Sequence, residues 1–207
     1  MKHKSRSPVA SPSPDDGDPL WKRIEQGNGT FVSEDALVRY RLGGSRIRFN
    51  QSLVVVGEVE KVHRRVLRTW ESKADRDMAR RLGIPRGAQV LQLQMAALAD
   101  ERPISLGVRH CSAARFRGLK EAFERHGTLT AALREFGVAD YRRASTDITA
   151  RMPSLDEARL LVQPRSQPVL AYTAVDVEAE TGEVISYYVG CFASHRVVIS
   201  IEDEAQA

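Results

Sequence analysis

Cysteine is scarce in this chain of 207 residues: only Cys111 and Cys191 occur. Two thiols so far apart build neither a disulfide framework nor a zinc ribbon, and both read as reduced core residues. The five histidines show no metal-ligand spacing with each other or with the cysteines. His110 and His195 stand without a visible nucleophile or paired carboxylate. No catalytic residue, metal or cofactor is therefore expected, and the chain does not read as an enzyme. Long apolar runs are also lacking. None approaches the length that spans a bilayer, and no signal-peptide core follows Met1 and Lys2. A cytoplasmic protein with no membrane partner is the expectation.

What is present is enough apolar residue, 42%, for one ordinary core or two small ones. The formal charge of +4 and the pI near 9.3 permit an anionic partner without demanding one. Part of that excess is local, in Arg39, Arg41, Arg46 and Arg48. A solvated basic surface is the simpler reading, and a nucleic-acid footprint is the alternative.

Composition shifts divide the chain. Residues 1–18, "MKHKSRSPVASPSPDDGD", are rich in Ser, Pro and charge and read as a disordered tail. In 19–32 a short amphipathic turn carrying Leu20, Trp21 and Ile24 gives way to a hairpin tip at Gly27, Asn28 and Gly29, followed by the strand formers Thr30, Phe31 and Val32. Residues 33–48 read as linker, 49–202 as a folded α+β domain, and 203–207 as a tail. Within the domain, Asn50 is a candidate N-cap opening a short helix. "HRRVLRTW" is a strand, and "KADRDMARRLGI" is a helix closed by Gly83. A hairpin turns at Asp100 to Pro103. Two helices follow over 113–126 and 128–136. "DYRRASTDITARM" is a strand, and "SLDEARLLV" is a helix with the capping pair Ser154 and Glu157. Three strands joined by turns close the chain. Consecutive hairpins imply an antiparallel sheet with helices on one side.

The run "GTLTAALREFGVADYRRASTDITARMPSLDEARLLVQ", with "SRIRFNQSL" and "ALADERPISL" before it, resembles the UTRA effector-binding domain of GntR-family, HutC-type transcriptional regulators. "DYRRAST" with "ARMPSLDEARLL" is most similar to the phosphonate-metabolism, PhnF-like branch. The resemblance implies a chorismate-lyase-like fold, an antiparallel sheet flanked by helices around a small-molecule pocket. It also implies regulation of transcription through DNA, a small anionic effector and a dimer. Family members begin like "PLWKRIE" and end their wing like "QGNGTFV". Here Glu25 runs directly into Gln26, so residues 19–32 resemble a winged-helix remnant without its recognition helix, the element that reads bases. Gly27, Asn28, Gly29 and Thr30 are then left to contact phosphates. A second reading is an interaction protein that pairs with a full-length paralogue, and a third is a truncated product with no role.

The resemblance also selects candidate ligand residues. The turn Phe49, Asn50, Gln51 would hold an anion at a helix start, or merely cap that helix. Strand alternation puts Arg142 on the apolar face of its strand, where it needs a phosphonate or an internal carboxylate, and puts Arg143 on the polar face. Two arginines and two glutamates of sugar-phosphate sensors are replaced by Met95, Ala97, Gly107 and Ser186, which points to a compact ligand. Arg109 is a displaced cation or a surface residue of an edge strand. Thr128 caps a helix or meets the ligand, and Thr130, two residues later, would meet the ligand. Ser186 and Phe192 would close the pocket from the other side.

Overall fold

The computed structural model describes residues 37–42, 53–55 and 59–201. All of them fall in one compact unit, 34–207, distinct from residues 1–33. The expected tails, the winged-helix remnant and the turn at Phe49, Asn50 and Gln51 lie outside the described residues.

Among the described residues two sheets are formed. The larger is fully antiparallel and six-stranded, in the order β3 (Val62–Lys73), β4 (Gln89–Ala99), β5 (Arg102–Ser112), β8 (Val184–Ala193), β7 (Val169–Glu178), β6 (Tyr141–Arg151). The smaller contains β2 (Leu53–Val55), β1 (Val38–Leu42) and β9 (Val197–Ile201). Three sequence expectations change here. Residues 38–42, expected in the linker, are a strand whose Val38 and Tyr40 are buried. Residues 53–55, expected to be helical after Asn50, are a strand antiparallel to β1, as their β-branched composition favours. And β9 leaves the hairpin order to pair in parallel with β1.

The expected helices sit where their caps place them. Helix α1 (Arg76–Leu82) opens on Asp75, whose carboxylate accepts from the Met78 amide at 2.8 Å, and ends at Gly83 in the left-handed region. The predicted helices over 113–136 form three shorter ones, α2 (Ala113–Phe116), α3 (Leu119–His126) and α4 (Leu129–Arg134). Gly118 and Gly127, both at positive φ, punctuate them. Helix α5 (Leu155–Leu160) carries the predicted capping box between Ser154 and Glu157. Helices cover both faces rather than one. Leu82 of α1 packs with Val90 and Tyr187 on the outer face, where Leu161 after α5 joins Leu106 and Cys191.

The inner face is covered in two parts. Helices α2, α3 and α4 bring Phe116, Leu119 and Leu133 onto Leu91, Leu93, Met95 and Cys111. The small sheet brings Val38, Tyr40 and Val197 onto Ala97, Tyr172, Tyr188 and Phe192. Along β5 the register runs from Ser105 beside Phe192, through Gly107 and Arg109, to Cys111. Arg109 thus falls where the two apolar clusters meet.

Candidate functional site

A guanidinium on the middle of a central strand has little access to water. The Arg109 side chain is 3% exposed and that of Asp176, on β7, 2%. A buried cation is tolerable only when paired. Arg109 Nη1 donates to Asp176 Oδ2 at 2.7 Å. Ser186, opposite Asp176 on β8, accepts from the same Nη1 and donates to Oδ2 at 3.1 Å. Arg143, opposite Asp176 on β6, donates from Nε to Oδ1 at 2.6 Å and from Nη1 to Thr146 Oγ1 at 3.3 Å. Burial opposes charge on Asp176, yet Arg143 and Arg109 hold its carboxyl down to about 2. Burial also works against Arg143, and Asp176 more than offsets it, so this guanidinium titrates above its ordinary range.

A third arginine shares the face. Arg64, on β3 opposite Ala97, is half-buried. Desolvation lowers its pKa and the nearby Arg109 charge lowers it further, while the phenols of Tyr188, Tyr172 and Tyr141 act the other way. The Tyr188 ring lies against a glycine pair: Gly107 and Gly190 face each other across β5 and β8. A Cβ at Gly107 would stand 2.6 Å from the Tyr188 ring and 2.6 Å from the Val189 carbonyl oxygen. A side chain at 107 and Tyr188 in this place therefore exclude each other. Tyr172 stacks on Tyr188 at 5.3 Å and on Phe192 at 4.4 Å, which extends an aromatic wall toward Tyr40.

The sequence-chosen residues separate in three dimensions. Arg109 and Ser186 belong to the cluster, and Arg109 is neither on the surface nor on an edge strand. Phe192 is fully buried in the aromatic wall. Thr130 is half-buried on α4, its Oγ1 3.4 Å from the Tyr141 hydroxyl. Thr128 caps α4, accepting from the Ala131 amide at 3.3 Å. Arg142 is exposed, and Arg143 takes its expected place. The reason is a β-bulge. Arg143 pairs with Asp176 and Ser145 with Val175, which leaves Ala144 as the extra residue. Alternation counted back from Thr146 and Ile148 holds through Ser145 and fails at the bulge, where Ala144 is exposed and Arg143 takes the inward place.

Three members of the cluster, Arg64, Arg143 and Asp176, were missed as ligand candidates. Arg64 was visible in principle, since Val62 and Val66 flank it at the spacing of one strand face. Asp176 follows Tyr172 and Ala174 at the same spacing, an acid on an otherwise apolar face. Arg143 needed the bulge, which no local residue announces.

The matching family model is that of the UTRA domain, over residues 58–197. This chain belongs to the UTRA family. A curated relative, an uncharacterized HTH-type transcriptional regulator of Rhizobium meliloti, is 31% identical over 180 residues, 87% of this chain and 72% of that protein. The HTH-type transcriptional repressor PhnF of Mycolicibacterium smegmatis is 32% identical over 117 residues, 56% of this chain and 48% of the repressor. The crystal structure of PhnF from Mycobacterium smegmatis shares the fold, with a TM-score of 0.70 at 24% identity over 88% of this chain and 78% of that one. Its effector domain alone gives 0.67 at 22% identity, covering 81% of this chain and all of that domain. The resemblance to GntR-type regulators with a UTRA domain holds, as does the α+β fold. UTRA proteins are transcriptional regulators rather than enzymes. Among the described residues no group of His, Cys, Asp and Glu is placed to hold a metal, and no helix is long and apolar enough to cross a membrane.

Proposed function

We propose that this chain is the effector-binding part of a transcriptional regulator and that it senses a small anion of the phosphonate or phosphate-ester class. The anion binds on the inner sheet face beside Arg143, Arg109 and Arg64. The observation that carries this reading is one carboxylate, Asp176, shared between two guanidiniums while a third stands on the same face. Such a surface attracts negative charge at short range and holds it through charge-assisted hydrogen bonds. Similarity to PhnF supports a phosphorus-containing effector. The Tyr188 ring over Gly107 favours a compact ligand, because it fills space that a larger one would need. In the reading of residues 19–32 as a winged-helix remnant, DNA binding by this chain alone is weak and confined to phosphate contacts. Calorimetric titration with inorganic phosphate and short alkylphosphonates tests the anion site. Binding at millimolar concentration or below is expected, and no binding by any of them rejects it.

A further inference from the structure

Two glycines stand side by side in the middle of the main sheet, Gly107 on β5 and Gly190 on β8. Strand alternation puts both on the inner side, with Arg109 two residues after Gly107 and Phe192 two residues after Gly190. Glycine inside a strand weakens it and marks a close approach by another group. Here the group is the Tyr188 ring, since a Cβ at either glycine would stand 2.6 Å from its Cε1 atom. The ring is fixed in this seat. Tyr172 stacks on it with 20° between the planes, and Tyr188 is buried. The ring also borders the cations. Tyr188 is the register partner of Arg109, whose guanidinium carbon lies 5.5 Å from the ring centre. It therefore fills the space along the sheet immediately beside that guanidinium.

We propose that Tyr188 sets the specificity of the anion site: its ring limits the organic part of a phosphonate to a short alkyl group and excludes an aryl group. The proposal rests on the anion-site reading above and adds the residue that decides ligand size. An oxyanion held by Arg109 carries its substituent within reach of the ring. A methyl group fits beside a fixed ring. A phenyl group needs the volume that the ring occupies, and neither the stacked Tyr172 nor the backbone under the ring gives way. Removing the ring leaves an apolar space next to the cation, which an aryl substituent of the ligand fills.

The test compares methylphosphonate with phenylphosphonate by calorimetry on the full chain, in the parent and in Tyr188→Ala, Tyr188→Leu and Tyr188→Phe, each checked for folding by its thermal melt. The two ligands share one head group. The parent is expected to bind methylphosphonate about tenfold tighter or more, the effect of overfilling a packed site. In Tyr188→Ala, phenylphosphonate should bind at least as tightly as methylphosphonate. Tyr188→Leu keeps the wall apolar, serves where the alanine variant fails to fold, and should reduce the preference to about threefold or less. Tyr188→Phe retains the ring and should retain the preference, a result that general loosening of the fold does not give. Phenylphosphonate binding to the parent as tightly as methylphosphonate, or a preference unchanged in Tyr188→Ala and Tyr188→Leu, overturns the size limit and leaves the anion site standing. Loss of the preference in Tyr188→Phe also overturns it, because the volume of the ring is then not the cause. No binding of either ligand by the parent overturns both readings.

Discussion

Asp176 accepts hydrogen bonds from Arg109, Arg143 and Ser186 at once, so its removal strands two guanidiniums in a buried place. Breaking a buried pair from one side destabilises a protein by about 3–5 kcal/mol, and Asp176→Asn is expected to do so. The effect has a pH signature. The folded carboxyl titrates at about 2, below the unfolded value near 3.9. A depressed carboxyl stabilises the fold above its unfolded pKa and loses that contribution as pH falls through the folded one. The stability gap between the parent and Asp176→Asn, read by chemical denaturation, should therefore narrow from about pH 4 to about pH 2. A gap that stays constant across this window contradicts the pairing. At this scale the sequence was partly legible. Arg109 and Ser186 were found through the family positions around them, whereas Asp176 and Arg64 required the inward face to be read as a row of residues.

The elements were more legible than their pairings. Caps at Asp75, Thr128 and Ser154 stand where local chemistry puts them, because a cap is satisfied within three residues of itself. The bulge at Ala144 and the parallel pairing of β9 with β1 depend on residues distant in sequence, and neither was anticipated. The glycine pair also has meaning only across strands. Gly107→Ala brings a methyl group against both the Tyr188 ring and the Val189 carbonyl oxygen, and the second is backbone that cannot swing aside. Forcing atoms into a packed site costs about 1–3 kcal/mol, so this substitution should lower the denaturation midpoint by a corresponding amount. A midpoint equal to the parent's would show that Tyr188 does not lie on that pair.

As a whole, the unit is larger than the family match. The UTRA model begins at residue 58, yet Val38 and Tyr40 before it are buried against the aromatic wall, and β1 joins β9 to the fold. The small sheet covers one part of the inner face and the helices the other, with the arginine cluster between them, so the proposed anion site sits where two separately built covers meet. The class of fold could be read from hairpins and helix caps alone, but this division could not, since it depends on which strand leaves the main sheet. The most direct test of the anion site is a pair of calorimetric titrations with methylphosphonate, on Arg143→Ala and on Arg142→Ala. Charge-assisted hydrogen bonds contribute about 1.5–3 kcal/mol, so Arg143→Ala should bind at least about tenfold more weakly than the parent while Arg142→Ala binds within about twofold of it. Loss of binding in Arg142→Ala with Arg143→Ala unaffected would contradict both the bulge and the site built on it.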